Sequence, residues 1–382
     1  MKNILNKEIQ RFINANLNTD LHSILLKKSP FSEVSMPEIV QQIKGKKVAQ
    51  KKFPFLLKED IIFPPNLNLE QASSQATAKY KAEKLQGKSF IDLTAGFGID
   101  AYFLSQNFET VTLVEQNREL LEIVENNWKT LDKKGIFISE NLEEFLVKNT
   151  AKFDMLYLDP ARRDAQKNKK FLLEDLSPNL LEIQDRLQMI SNKILIKLSP
   201  LIDISYLISV LKNIATIEII AVRNEVKELL VIMEKDKTHH QIQIICTNLE
   251  SEDASFSFWF EKEKTAASAY SEPLQYLYVP NNAILKSGAF NSLAERFHVK
   301  KLHPNTHLYT SEEKLANFPG RNLKIENIDS KSIKKEEKYN IISKNYPLSP
   351  DEIKKKYKIL DGGMQYLIFT QTQKGKVILR SY

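Results

Sequence analysis

One run holds the densest potential chemistry in this 382-residue chain: Phe90-Ile91-Asp92-Leu93-Thr94-Ala95-Gly96-Phe97-Gly98-Ile99-Asp100. A short apolar run ends in an acid, a small-residue loop follows, and a helix-forming stretch begins. Gly96 and Gly98 let the backbone approach a ligand closely and take conformations closed to bulkier residues. The N–H groups and positive end of the next helix then face that ligand. Glu115 closes the following apolar run about twenty residues on, where a carboxylate can accept hydrogen bonds from both hydroxyls of a ribose. Taken alone, Glu115 also fits a solvated strand-end acid. Dinucleotide-binding loops carry a third glycine, in the area where Ala101 and Tyr102 stand here, so a pyrophosphate is not expected. Asp92 and Asp100 would repel one and would suit a cation, such as the ammonium or sulfonium of S-adenosylmethionine. The expected cofactor contacts here are Asp92, Thr94, Ala95, Gly96, Phe97, Gly98, Asp100, Glu115 and Gln116.

A second cluster is Tyr157-Leu158-Asp159-Pro160-Ala161-Arg162-Arg163-Asp164. In an open α/β sheet, the carboxyl end of a strand beside the first borders the ligand crevice. Asp159 there can accept an N–H of an amine and aim its lone pair, and it also borders the cofactor. Arg162 and Arg163 are forks suited to phosphate or carboxylate, or to salt bridges with Asp164 or Glu174. Asp159, Pro160, Arg162 and Arg163 are the expected catalytic group. Lys197, after a later strand, and Asn224, Glu225 and Lys227, in a hairpin turn, suit a substrate rim; hairpin turns are also polar simply for solvation.

Elements must hold these residues. β-branched runs fall at 88–93, 110–115, 135–139, 153–159, 193–198, 216–222 and 228–234, with helical stretches between the first six. The last two are too close for a parallel crossover and must be antiparallel. Five βα units and a terminal hairpin make an α/β, Rossmann-like, seven-stranded core of the methyltransferase type. Upstream, residues 1–66 read as helices, with a capping-box start at Ser35-Met36-Pro37-Glu38. The run LEQASSQATAKYKAEKL reads as one helix ending at Gly87. The core is placed at 67–236, an α+β module at 237–328 and a second at 329–382. A helix is expected over AILKSGAFNSLAERF, and Asp329 to Lys338 reads as a solvated linker.

Hydrophobic residues make up 42% of the chain, enough for real cores and too many for disorder. No apolar run approaches the roughly 18 residues that span a bilayer. MKNILNKEIQRF lacks the features of a signal peptide, and the single cysteine, Cys246, forms no internal disulfide. A cytoplasmic protein without membrane contact is expected. The net charge of +7 favours a polyanionic partner such as nucleic acid, unless it is only a compositional habit.

DLTAGFGIDAYFLS, LVEQN and LYLDP are similar to the small-subunit rRNA guanine-N2 methyltransferases. Across the whole chain, EQASSQATAKYKA, LDPARR, NEVKELLV and KNYPLSPDEIKKKYKILDGG resemble class I S-adenosylmethionine-dependent methyltransferases with a THUMP-like domain. That resemblance implies a helical N-terminal region, a methyltransferase core, and ferredoxin-like and THUMP-like modules. It implies Asn141 and Leu142 at the adenine, where class I enzymes carry an acid in place of Asn141. It also implies Asp159-Pro160 at the methyl acceptor, with Ala161-Arg162 where nitrogen methyltransferases carry proline and an aromatic. THUMP domains engage tRNA, which implies RNA, tRNA or rRNA, by analogy.

His298, His303 and His307 lack partners for a metal set, and Pro304-Asn305 would break a helix aligning the last two, so no metal is expected. His239-His240 reads as a solvated turn, Cys246 as a small buried hydrophobe, and Trp259 as core. The expected activity is S-adenosylmethionine-dependent methylation of RNA, at a nitrogen by preference. A small-molecule or protein acceptor, or a non-catalytic RNA-binding or assembly role, are the alternatives.

Overall fold

The computed structural model describes residues 2–162, 172–235 and 241–382. They fall into two compact units: residues up to Ile214 with the segment starting at Leu230, and Ala215–Leu229 with the residues from 241 onward.

The first unit opens with α1 (Lys7–Ala15), α2 (Leu21–Leu25) and α3 (Met36–Lys52). The capping box forms: the Ser35 side chain accepts the Glu38 backbone N–H, and the Glu38 carboxylate accepts the Ser35 N–H at 2.8 Å. Ile9, Ile13, Ile39 and Ile43 share one apolar cluster with Phe97, Ile99 and Phe103. The N-terminal helices thus lend their core to the glycine loop, whose Phe97 ring meets Phe53 edge-on at 5.9 Å.

The single helix expected after them is broken into α4 (Asn66–Gln71) and α5 (Gln75–Ala82). Ser74 takes extended backbone and caps α5, accepting the Thr77 N–H at 3.2 Å, which ends the preceding turn and leaves Ser73 buried. Gly87 does not end a helix but opens the first strand, and a Cβ there would sit 2.8 Å from the Phe108 ring.

Strands β1 (Gly87–Asp92), β2 (Phe108–Val114), β3 (Ile136–Ile138) and β4 (Met155–Leu158) are parallel, with β1 between β2 and β4. A short ladder of β5 (Ala161–Arg162) with β6 (Leu176–Ser177) follows, and then β7 (Lys193–Leu198) lies parallel to β4. The helices between are α6 (Ile99–Leu104), α7 (Arg118–Thr130), α8 (Leu142–Lys148), α9 (Leu180–Ile190) and α10 (Ile204–Val210). Parallel strands covered on both faces read as continuous apolar runs, and all of Met155–Leu158 is buried. The sixth and seventh core strands, β8 (Ile214–Val222) and β9 (Glu225–Glu234), are joined only by Arg223 and Asn224. Both residues have positive φ (49° and 66°), the two-residue turn that suits an antiparallel hairpin.

In the second unit, β10 (Gln243–Leu249) runs parallel to β8, and β11 (Phe256–Trp259) runs antiparallel to β10. Phe256 and Phe258 are buried, but Trp259, expected in the core, is 43% exposed at the strand's end. After α11 (Phe260–Thr265) come β12 (Tyr276–Pro280), α12 (Asn282–Ser287), α13 (Phe290–Phe297), β13 (Lys300–His303) and β14 (Thr306–Ser311). The helix expected over 283–297 is split because Gly288 turns left-handed at φ 74°. β15 (Gly320–Ile328), β16 (Lys338–Ser343), α14 (Pro350–Tyr357), β17 (Leu360–Thr372) and β18 (Gly375–Ser381) complete the chain. Strands β12 to β18 form one sheet, in the order β13-β14-β12-β15-β18-β17-β16. The charged Asp329–Lys338 stretch is more than a solvated linker, since Ile333 packs in a cluster with Tyr339, Ile353 and Phe369. His303 and His307 lie on strands rather than on a broken helix, and His239-His240 lies outside the described residues. Cys246 is buried, which pushes its thiol up to about 12. No helix among the described residues is long and apolar enough to cross a membrane.

Candidate active site

The loop after β1 is shaped by its glycines. Gly96 and Gly98 have φ of 53° and 72°, and the Gly98 N–H donates to the Ala95 carbonyl at 2.7 Å. A Cβ on Gly98 would lie 2.7 Å from Val124 Cγ1, so glycine is needed there for α6 to pack on α7. A Cβ on Gly96 would meet only the Thr94 carbonyl oxygen, at 3.7 Å. Gly96 therefore borders open space, a cradle that a ligand can fill. Gly98→Ala is expected to cost roughly 2–4 kcal/mol from the left-handed backbone and the clash together. Gly96→Ala is expected to cost about 1 kcal/mol, from the backbone alone. Denaturant titration of the two variants checks this order.

Glu115 ties the end of β2 to the loop: Oε2 accepts the Gly96 N–H at 2.9 Å and Oε1 the Asn117 N–H at 2.9 Å. Each oxygen keeps a lone pair for a further donor. Thr94 Oγ1 accepts the Asp159 N–H at 2.7 Å, which joins the loops after β1 and β4. Asp92 is fully buried and accepts the Thr94 N–H at 2.9 Å. Burial raises its pKa well above the carboxylate range against that bond, and the charges of Asp100, Asp159 and Glu115 add to the rise.

Beside this loop lies a compact ionic cluster. Asp100, on α6, accepts from Ser73 Oγ and from Tyr157 Oη, each at 2.7 Å, and pairs with Lys81 at 2.8 Å. Burial pushes its carboxyl up, but Lys81, Lys197 and the hydrogen bonds from Lys81 and Tyr157 outweigh burial, and the net pKa falls below the usual range. Lys197, on β7, lies 2.5 Å from Asp159 Oδ2 and 3.8 Å from Asp100 Oδ2. The Asp159 side chain is 34% exposed at the mouth of the site. Its pKa is raised by burial, with Lys197 opposing.

Asp92, Thr94, Ala95, Gly96, Phe97, Gly98, Asp100, Glu115, Asp159 and Lys197 are thus gathered at the carboxyl ends of neighbouring strands. Pro160 is buried beside them, and Gln116 is exposed in the turn after β2. Asn141 caps α8, its side chain accepting the Glu143 N–H at 2.9 Å, and Leu142 is buried in that helix's first turn. Arg162 lies on β5, and Arg163 lies outside the described residues. Asn224, Glu225 and Lys227 belong to the second unit. There Asn224 accepts the Asn282 N–H at 2.7 Å and donates its own N–H to Asn248, while Lys227 pairs with Glu225 at 2.6 Å. Among the described residues, no group of three or more His, Cys, Asp or Glu could hold a metal ion.

Ser73, Lys81 and Tyr157 were not legible as site residues. Lys81 shares the buried face of α5 with Thr77, Ala78 and Ala82. A lysine four residues after Thr77 and three after Ala78, on the same face as these small residues, is the available signal, but it emerges only once the helix is known to restart at Ser74.

Comparison with known proteins agrees with this geometry. The family described as conserved hypothetical protein 95 matches residues 74–185, a ferredoxin-like domain family matches 276–319, and a THUMP domain-like family matches 321–380. No curated protein matches the chain. A solved structure of a proposed methyltransferase from Porphyromonas gingivalis W83 is 30% identical, covering 99% of this chain and 97% of that one with a TM-score of 0.87. TrmK of M. capricolum, solved with S-adenosyl-homocysteine, is similar at 18% identity over 43% of this chain and 70% of its own, with a TM-score of 0.34. An rRNA methylase from Streptococcus thermophilus is similar at 16% identity over 42% of this chain and 95% of its own, with a TM-score of 0.31. The match to the first of these extends over nearly all of both chains, and the chain belongs to the class I S-adenosylmethionine-dependent methyltransferases with a THUMP-like C-terminal domain.

Proposed function

We propose that the protein methylates a nitrogen of an RNA base, in tRNA or rRNA, with Asp159 orienting the acceptor. The observation that carries this reading is the placement of Asp159: its N–H is fixed to Thr94 of the glycine loop, and its Oδ2 is held by Lys197. Its Oδ1 can accept an N–H of an amine at the mouth of the site, which turns the nitrogen lone pair toward the donor. The residues fit S-adenosylmethionine: the open cradle at Gly96, the spare lone pairs of Glu115 for ribose hydroxyls, and the part-exposed Asp159 carboxylate near a positive charge. When bound, that cofactor supplies a methyl group made electrophilic by its sulfonium. The amine can attack first and release its proton afterwards to water or to Asp159, so a strong base is not required.

RNA is favoured by the net charge of +7 and by the THUMP-like domain. Arg162, Arg163 and basic residues of the C-terminal half would position phosphates. Binding to purified tRNA or rRNA is therefore expected to weaken linearly on log–log axes as salt rises, with a slope of about −0.7 to −0.9 per phosphate contact. Fluorescence anisotropy across a salt series measures it. A flat profile would count against RNA and for a small-molecule or protein acceptor.

A further inference from the structure

The ionic cluster beside Asp159 reaches outside the sheet, into the α4–α5 segment, and the function read above gives that segment no role. Lys197 has two carboxylates within range, Asp159 Oδ2 at 2.5 Å and Asp100 Oδ2 at 3.8 Å, and it also lies 3.3 Å from Ser73 Oγ. Asp100 is engaged from elsewhere: by Lys81 at 2.8 Å on Oδ1, and by Ser73 and Tyr157 at 2.7 Å on Oδ2. Ser73 Oγ donates to Asp100 and accepts from Lys81 at 2.9 Å and from Lys197, which uses its one proton and both lone pairs.

We propose that Lys81 and Ser73 are positioning residues of the transfer reaction: by satisfying Asp100, they keep the Lys197 ammonium committed to Asp159. The proposal rests on the reading of Asp159 as the group that orients the acceptor. Its logic is charge balance in a buried place. Among the described residues, the ammonium groups of Lys81 and Lys197 pair with the carboxylates of Asp100 and Asp159, while Asp92 is disposed toward its neutral form. Without Lys81, Lys197 would face both Asp100 and Asp159. Lys197 would then be drawn about an ångström toward the more deeply buried Asp100, because an ion pair is stronger where water is excluded. Asp159 would lose its cation, and its carboxyl would become easier to protonate. A protonated Asp159 is a weaker acceptor for the amine N–H than the carboxylate is. Among the described residues, the charged groups acting on the Asp159 carboxyl besides Lys197 are Asp100, which raises its pKa, and Lys81, which lowers it directly; Asp92 lies near it and is itself faced by Glu115 from β2.

The test is a pH titration of the Asp159 carboxyl by NMR of full-length protein labelled with ¹³Cγ-aspartate, the signal assigned with Asp159→Asn. Wild type is compared with Lys81→Met and with the milder Ser73→Ala. The Asp159 midpoint should rise by about one pH unit or more in Lys81→Met, where loss of the Lys81 charge itself contributes. Ser73→Ala removes no charge and so isolates the part relayed through Lys197. A smaller rise is expected in Ser73→Ala, and an acid limb of kcat/KM that moves with the midpoint. An Asp159 midpoint that stays in place in the folded variants overturns the proposal. If Lys81→Met does not fold, Ser73→Ala decides alone by the same criterion. A moved midpoint with an unmoved rate profile would overturn the role given to Asp159 while leaving the Lys81–Lys197 network standing, so the two failures are distinguishable.

Discussion

Asp159→Ala is expected to lower methyl transfer by about 10²-fold or more while the affinity for S-adenosylmethionine changes modestly. The asymmetry follows from the geometry. Gly96, Glu115 and Thr94 form the cradle, and none depends on the Asp159 carboxylate; Thr94 holds its backbone N–H, which alanine retains. What alanine removes is the carboxylate proposed to aim the amine. Folding should survive, because Lys197 still has Asp100 and Ser73 within reach. Single-turnover rates and cofactor titration by calorimetry separate the two effects. Wild-type turnover in a folded Asp159→Ala protein would remove Asp159 from the reaction.

The largest effect on stability is expected at Lys81. Its side chain is wholly buried against Asp100, itself only 9% exposed, so Lys81→Met leaves a buried carboxylate short of its nearest cation. Breaking such a pair costs about 3–5 kcal/mol, whereas replacing both partners by neutral groups costs far less. Lys81→Met/Asp100→Asn should therefore recover much of the loss, and a double-mutant cycle measures how much. The pH dependence has a definite sign. The folded pKa of Asp100 lies below its unfolded value of about 3.9. Its contribution is thus present above that unfolded value and is lost as pH falls through the folded one. Denaturation curves of wild type and Lys81→Met should converge on acidification. A gap that stays constant from neutral pH down to about pH 3 would show that the pair is not what the mutation breaks.

The sequence was most legible where one residue type answers one backbone demand. Gly96 and Gly98 mark left-handed positions, and Asp92 and Glu115 mark strand ends, so the loop and its strands could be placed from spacing alone. The connection expected over residues 223–227 is short enough to force a hairpin, and the turn itself is only Arg223-Asn224, with Glu225 and Lys227 already on β9. What stayed hidden depended on tertiary partners. Nothing local distinguishes Ser73 from Ser74, yet one turns to Asp100 and the other caps a helix. Asn141 stood where the family resemblance implied an adenine contact, and its side chain serves as the cap of α8. Asn224 looked like one polar turn residue among several, but its partners, Asn248 and Asn282, lie 24 and 58 residues away. Ile333 packs in the core although it lies inside a run of charges, where one apolar residue sets no period.

The measurement closest to the central claim is transfer of labelled methyl from S-adenosylmethionine to total RNA from cells lacking this gene, with a nuclease-treated control. The account predicts label that enters the RNA, disappears on nuclease treatment, and resides on a base nitrogen after digestion to nucleosides. Cofactor binding without any nuclease-sensitive label would contradict it and point to a protein or small-molecule acceptor.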